Sequence, residues 1–131
     1  MTTEKIYEWD VAREGDESPP FMVEVTQESI ADYCNAVRYD NPVYLDDEAA
    51  KAAGFPGIIA PPTMVFSFCP MRRVDFIKAR GYIAPEQSDV APRSTPYTSG
   101  DVKFLGVLVR PGDVISSTVK VHEKYERKGN K

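Results

Sequence analysis

The residue types that most often carry acid–base, nucleophilic or metal chemistry are sparse in this chain, which has one histidine, His122, and two cysteines, Cys34 and Cys69. His122 shares a strand face with Lys120 and Lys124, opposite Val119 and Val121, and so reads as an exposed strand histidine rather than a general base. Cys34 and Cys69 lie in segments that read as helices, with neither a CxxC spacing nor a Cys/His cluster around them. They read as small buried hydrophobes, and neither a disulfide framework nor a zinc site is expected. Asp46 and Asp47 stand just before a helical stretch, where carboxylates act as caps and dipole partners. Asp40-Asn41-Pro42 is strong turn chemistry, because the residue before proline leaves the helical region and Asn and Asp close turns readily.

The elements that must position these residues follow from the apolar pattern. Residues 1–20 are polar and end in Glu17-Ser18-Pro19-Pro20, a lead-in whose prolines forbid continuous helix. Phe21 to Val25 has the short, β-branched character of a strand. Thr26 is a plausible N-cap, and Ile30, Tyr33, Cys34 and Val37 then fall at helical spacing on one stripe, ended by the Asp40-Asn41-Pro42 turn. A second helix is expected over 46–53, capped by Gly54. Pro61-Pro62-Thr63 opens a third, with proline where its missing N–H does no harm. Met64, Val65, Phe66, Phe68 and Cys69 make that helix apolar nearly all round, as in a helix enclosed by other structure, and Pro70 kinks or interrupts it before it continues towards Gly81. The Pro-, Ser- and Thr-rich residues 85–99 read as a loop. Residues 102–109 and 114–121 are strand-like and flank Arg110-Pro111-Gly112-Asp113, which predicts an antiparallel hairpin.

Composition narrows the class. The chain has 131 residues, 42% of them hydrophobic, which is enough for one core and a single domain over 1–131. A formal charge of −4 without a basic cluster argues against nucleic-acid binding. The opening MTTEKIYEWD has acidic residues where a signal peptide needs a basic flank and an apolar run, and no stretch approaches the roughly 20 apolar residues of a membrane helix. A cytoplasmic protein is expected. One hairpin and a short strand make a poor sheet around so apolar a helix, so C-terminal strands are expected to be missing or supplied by a partner.

Read together, Asp40-Asn41-Pro42-Val43-Tyr44, Ala49-Ala50, Gly54-Phe55-Pro56-Gly57-Ile58-Ile59-Ala60-Pro61-Pro62-Thr63 and Arg110-Pro111-Gly112-Asp113 resemble the MaoC-like (R)-specific enoyl-thioester hydratases in order and spacing. The Ala60-Pro61-Pro62-Thr63 run resembles more narrowly the FAS1-like dehydratase N-terminal branch, which includes accessory subunits of mycobacterial (3R)-hydroxyacyl-carrier-protein dehydratases. The resemblance covers roughly residues 20–125, and the joint pattern is far more specific than a lone Asn-Pro or Arg-Pro-Gly-Asp turn. It implies an α+β hot-dog fold, in which a curved antiparallel sheet wraps a long central helix, here residues 62 to about 80. It also implies pairing with a second hot-dog domain, with the pantetheine arm of a thioester lying between the two.

Active members of that family add water to an enoyl thioester with a D-x-N-P-x-H pattern, whose Asp and His grip the water, and a Gly whose N–H polarises the thioester carbonyl. Aligned without gaps, the Asp position falls on Tyr39, the His position on Tyr44, and the Gly on or next to Pro62. A phenol with an ordinary pKa near about 10 is a poor base at neutral pH, and proline has no N–H to donate. Asp40, one residue from the Asp position, is the remaining candidate catalytic carboxylate. Tyr39 and Tyr44 either fill space occupied elsewhere by the polar pair or turn their hydroxyls into the acyl tunnel. With Asn41, Ala60, Pro62 and Thr63 they are the expected substrate-binding residues.

The resemblance therefore implies an acyl-thioester-binding subunit or half of an (R)-specific enoyl-CoA or enoyl-carrier-protein hydratase, with catalytic residues on a MaoC partner. A homodimer is also compatible. The alternatives are a self-sufficient hydratase with atypical residues and a non-enzymatic acyl-CoA-binding protein. No cofactor or metal is expected in any of these.

Overall fold

The structure is a computed structural model and describes residues 3–127. These fall into two compact units, one drawn from Phe21–Pro70 and Val102–Ser117, the other from the segments before, between and after them.

In the first unit, strand β1 (Phe21–Glu24) leads into helix α1 (Gln27–Val37). Thr26 caps α1 in extended conformation. Its hydroxyl accepts the Ser29 N–H at 3.0 Å, while the Ser29 hydroxyl oxygen accepts the Thr26 N–H at 3.0 Å. This is a reciprocal capping box with serine in place of the usual Glu or Gln. The predicted stripe is partly realised: Ile30 and Cys34 are buried, Tyr33 is half-buried and Val37 is exposed. The helix ends earlier than the Asp40-Asn41-Pro42 turn implies, at Arg38, which takes a left-handed conformation (φ 61°) and directs its N–H back to the last turn. A single turn of 3-10 helix, Pro42–Tyr44, follows, and Asp46 then caps α2 (Asp47–Ala52).

The stretch expected as one central helix, 62 to about 80, is divided. A 3-10 turn (Pro62–Met64) runs into the four-residue α3 (Val65–Phe68), and Cys69 leaves the helical region at φ −124° and ψ 63°. Pro70 is the physical reason, since it disfavours helix at the preceding residue and has no N–H to continue the ladder. Helix resumes only at α4 (Arg73–Ala79), in the other unit. Nor is this stretch enclosed all round, since Met64 and Phe68 are buried while Phe66 is 54% exposed. Val25, Ile30, Cys34, Ile58, Ala60, Met64 and Phe68 form the core of this unit.

The predicted hairpin does not form among the described residues. Strand β2 (Val114–Ser117) pairs antiparallel with β1 in the register Phe21↔Ser117, Met22↔Ser116, Val23↔Ile115 and Glu24↔Val114. The Arg110–Asp113 turn is present, with the Asp113 N–H on the Arg110 carbonyl at 3.1 Å and the Arg110 N–H on Asp113 Oδ2 at 2.9 Å. It leads back to residues 102–109, which lack strand pairing, for two reasons. The Val109 carbonyl accepts the Ala60 N–H at 2.8 Å, and Gly106 turns to φ 83°, outside the extended region. Leu105 and Val107 are left more than three-quarters exposed, at 80% and 83%.

In the second unit the polar lead-in contributes to a core: Tyr7 is buried with Phe76, Ile77 and Ala84. Its ring meets Phe76 edge-on at 5.6 Å, and its hydroxyl donates to Asp16 Oδ2 at 2.7 Å. Asp16 also pairs with Arg80 at 2.9 Å. Burial, followed by the Asp16 bond, pushes the Tyr7 phenol up to about 12. Residues 85–99 begin with a 3-10 turn (Pro85–Gln87) and continue without regular structure. His122 is exposed, and no helix among the described residues is long and apolar enough to cross a membrane.

Candidate functional site

The six residues expected around a substrate sit at two adjoining pockets of the first unit. The first, about 340 Å³, is lined by Arg38, Tyr39, Asp40, Asn41, Tyr44, Pro61, Pro62 and Thr63. It thus gathers Tyr39, Asn41, Tyr44, Pro62 and Thr63 with the candidate carboxylate Asp40. Ala60 lies instead in the second pocket, about 370 Å³, with Ile59, Val65, Phe68, Phe104, Gly106, Val107, Leu108 and Val109. Pro61 and Pro62 line both. The first pocket is therefore hydroxyl-rich and the more polar of the two, the second apolar, and a dipeptide without amide protons forms the wall they share.

Local sequence accounts for each placement. The left-handed Arg38 reverses the chain at the end of α1 and brings Tyr39 back towards Tyr33, with ring centroids 6.2 Å apart. Asn41 is occupied as a cap, its side-chain oxygen accepting the Val43 N–H at 3.2 Å. That bond starts the turn that brings Tyr44 to 6.3 Å from Tyr39, the two rings tilted by 33°. The Asp40 side chain is exposed at the rim and takes part in no hydrogen bond or ion pair among the described residues.

Thr63 is the polar hub of the pocket. The Tyr33 hydroxyl donates to Thr63 Oγ1 at 3.0 Å, and the Thr63 hydroxyl donates to the Tyr39 oxygen at 3.3 Å. Tyr33 was visible in the sequence only as part of the apolar stripe of α1; a tyrosine there, rather than an aliphatic residue, was the available signal. Arg38 was likewise unmarked, since nothing in a lone arginine shows that it will end a helix in the left-handed region.

The wall from Ile58 to Thr63 is fixed by three successive amides. The Ile58 N–H bonds to Asp47 Oδ1 at 2.9 Å, Ile59 N–H to the Val43 carbonyl at 3.3 Å, and Ala60 N–H to the Val109 carbonyl at 2.8 Å. Asp46 caps α2 through the Glu48 N–H at 3.0 Å, as its position implies, whereas Asp47 goes beyond the cap or dipole role read from sequence and ties α2 to residue 58. Cys34 is buried and Cys69 half-buried, both as free thiols, and burial pushes both thiol pKa values up. Neither lines the two pockets. Among the described residues no group of three or more His, Cys, Asp or Glu is arranged to hold a metal ion.

Comparison with known proteins gives these residues a context. The family model for the FAS1-like dehydratase domain region matches residues 12–131. A UPF0336 protein of Streptomyces coelicolor is 36% identical over 113 residues, spanning 86% of this chain and 70% of that protein. The 3-oxo-4,17-pregnadiene-20-carboxyl-CoA hydratase alpha subunit of Mycobacterium tuberculosis is 51% identical over 84 residues, spanning 64% of this chain and 24% of that one. Among solved structures, a chain of the ChsH1–ChsH2 complex of M. tuberculosis superposes with a TM-score of 0.55 at 24% identity, covering 79% of this chain and 64% of that chain. At that identity the likeness bears on the fold alone, and the fold is of the hot-dog type with a small sheet and short helices.

Proposed function

The chain belongs to the FAS1-like dehydratase domain family, a MaoC-like dehydratase-type group, and from that membership we propose that it is the acyl-thioester-holding, non-catalytic subunit or half of an (R)-specific enoyl-thioester hydratase. The carrying observation is the pocket that gathers Tyr39, Tyr44 and Pro62, the residues that a gap-free reading of the sequence lays on the Asp position, the His position and on or next to the Gly position of the family pattern. Hydration requires a base to take a proton from water, an acid to protonate the α-carbon and a donor to the enolate oxygen. A phenol is a poor substitute for the carboxylate or imidazole that takes a proton from water, and Pro62 lends no amide.

What the pocket can do is hold. The polar pocket suits the thioester head, and the apolar one across Pro61 and Pro62 suits the acyl chain. The Asp and His then come from a second hot-dog polypeptide. That one relative is the alpha subunit of a CoA-ester hydratase supports a heteromer, and the fold shared with a chain of a two-component complex is compatible with one. CoA or acyl carrier protein serves equally as the carrier in this reading.

The test is hydration of crotonyl-CoA by the purified chain, by the MaoC protein that co-purifies with it, and by the two together. Binding without turnover by the chain alone, and turnover by the pair above that of the partner alone, is the expected result. Turnover by the chain alone sinks the non-catalytic assignment. It would favour the second reading, a self-sufficient hydratase, which rests on the free Asp40 carboxylate at the pocket rim; Asp40→Asn would then abolish that turnover. Thioester binding with no hydratase partner would mark a non-enzymatic acyl-CoA-binding protein.

A further inference from the structure

Three hydroxyls, those of Tyr33, Thr63 and Tyr39, form a chain that enters the polar pocket at Thr63 and Tyr39. Tyr33, half-buried on α1, lies with its hydroxyl 3.0 Å from Thr63 Oγ1, and Thr63 Oγ1 lies 3.3 Å from the Tyr39 oxygen; the sense that satisfies the half-buried Tyr33 proton runs from Tyr33 to Thr63 to Tyr39. In that sense Tyr39 receives a hydrogen bond, while its own proton has no acceptor among the described residues. Its side chain, 39% exposed, lines the pocket beside Pro62. A hydroxyl that accepts a bond becomes a better donor, because each link of such a chain polarises the next.

We propose that Tyr39, as the terminal donor of the Tyr33–Thr63–Tyr39 chain, supplies the hydrogen bond to a ligand's carbonyl oxygen in this pocket, standing in for the amide that Pro62 lacks. The inference rests on the acyl-thioester reading and specifies it. With the Tyr39 oxygen already accepting from Thr63, the site prefers an acceptor-only group such as a thioester carbonyl over a group that must itself donate. Tyr39 is thus a binding and specificity residue. Tyr33 and Thr63 act through it and are positioning residues.

The test compares two probes on the full chain: crotonyl-CoA with a 13C-labelled carbonyl, and S-butyl-CoA, a thioether of similar size with no carbonyl. Tyr39→Phe is expected to weaken crotonyl-CoA binding about three- to tenfold, the range of a single net hydrogen bond, and to leave S-butyl-CoA binding unchanged. The bound carbonyl stretch, lowered in the wild type relative to free ligand, should return towards the free value in Tyr39→Phe. In Thr63→Val, where the donor stays but its polarisation is lost, the return should be partial. If Tyr39→Phe binds both probes as the wild type does, with an unshifted carbonyl stretch, the donor role is overturned while the thioester reading stands. If wild-type protein binds S-butyl-CoA as tightly as crotonyl-CoA, the specificity claim fails. If it binds neither, the thioester reading falls and this inference with it. Should Tyr39→Phe fold poorly, Tyr33→Phe and Thr63→Val carry the comparison, and an unchanged stretch in both overturns the relay.

Discussion

The carboxylate of Asp47, in the first turn of α2, holds the amide of Ile58 at 2.9 Å, and glycine at the intervening corner keeps that contact uncrowded: a Cβ on Gly57 would stand 3.0 Å from the same carboxylate oxygen. Two positions far apart in sequence are thereby matched, and the wall that both pockets share starts from their contact.

Loss of that contact should be measurable. Asp47→Ala leaves a buried N–H unsatisfied, and the expected cost in denaturant or thermal unfolding is about 1 kcal/mol, the low end for such groups because the Asp47 side chain is solvent-accessible. Asp47→Asn keeps an acceptor and should recover most of it. Gly57→Ala should destabilise through the crowding at Asp47. An Asp47→Ala variant as stable as wild type would remove the contact from the account of the wall.

The cap of α1 gives a second expectation. Thr26→Ala removes the acceptor for the Ser29 N–H and half of the reciprocal pair, at an expected cost of about 1 kcal/mol. Thr26→Ser should be close to neutral. Chemical denaturation reads both, and equal stability of all three proteins would contradict the capping argument.

Stability should fall at both ends of the pH scale, through different groups. Glu86 is held at about 2, below its usual 4.5, chiefly by the Thr95 hydroxyl and the Arg73 guanidinium, and Glu4 is lowered by the Ser88 hydroxyl and the Asp89 N–H. A carboxyl depressed in the folded state stabilises above its unfolded value, and that contribution disappears as pH falls through the folded value. Glu86→Gln should therefore flatten the acid limb between about 4.5 and about 2. Tyr7 works in the opposite sense: raised to about 12, its phenol favours the fold while protonated, and this is lost as pH rises from 10 towards 12. Tyr7→Phe should flatten the alkaline limb, as read by thermal midpoints across the pH series.

The apolar pocket sets an expectation for chain length under the proposed function. Each methylene that enters the space lined by Val65, Phe68, Phe104 and Leu108 should strengthen acyl-CoA binding by about 0.8 kcal/mol until the space is full. Val65→Phe should make that gain stop at a shorter acyl chain while leaving crotonyl-CoA binding nearly intact. Titration of an acyl-CoA series against both proteins checks it, and parallel series would place the acyl chain elsewhere.

Where chemistry is local, the sequence and structure agree. Thr26 caps α1, Asp46 caps α2, and Arg110 to Asp113 turns, because each depends on side chains reaching backbone two or three residues away. The motif run from Asp40 to Thr63 likewise carried the family, and five of the six expected binding residues line one pocket with Asp40. Partner choice was not legible. A strand-like 102–109 is compatible with the hairpin, but β2 pairs with β1, and Gly106 with the Ala60–Val109 bond takes 102–109 out of the sheet. A continuous apolar run is compatible with one long helix, but Pro70 divides it.

By itself, then, the sequence determined the caps, the turns and the family, since all of these are properties of residue type and short spacing. Only the tertiary structure decided that Asp47 reaches Ile58, that Thr63 links Tyr33 to Tyr39, and that Pro61 and Pro62 separate a polar pocket from an apolar one. Those are matters of which surfaces meet, fixed by the burial of a shared core around Ile30, Ile58 and Met64 rather than by any local preference of the chain.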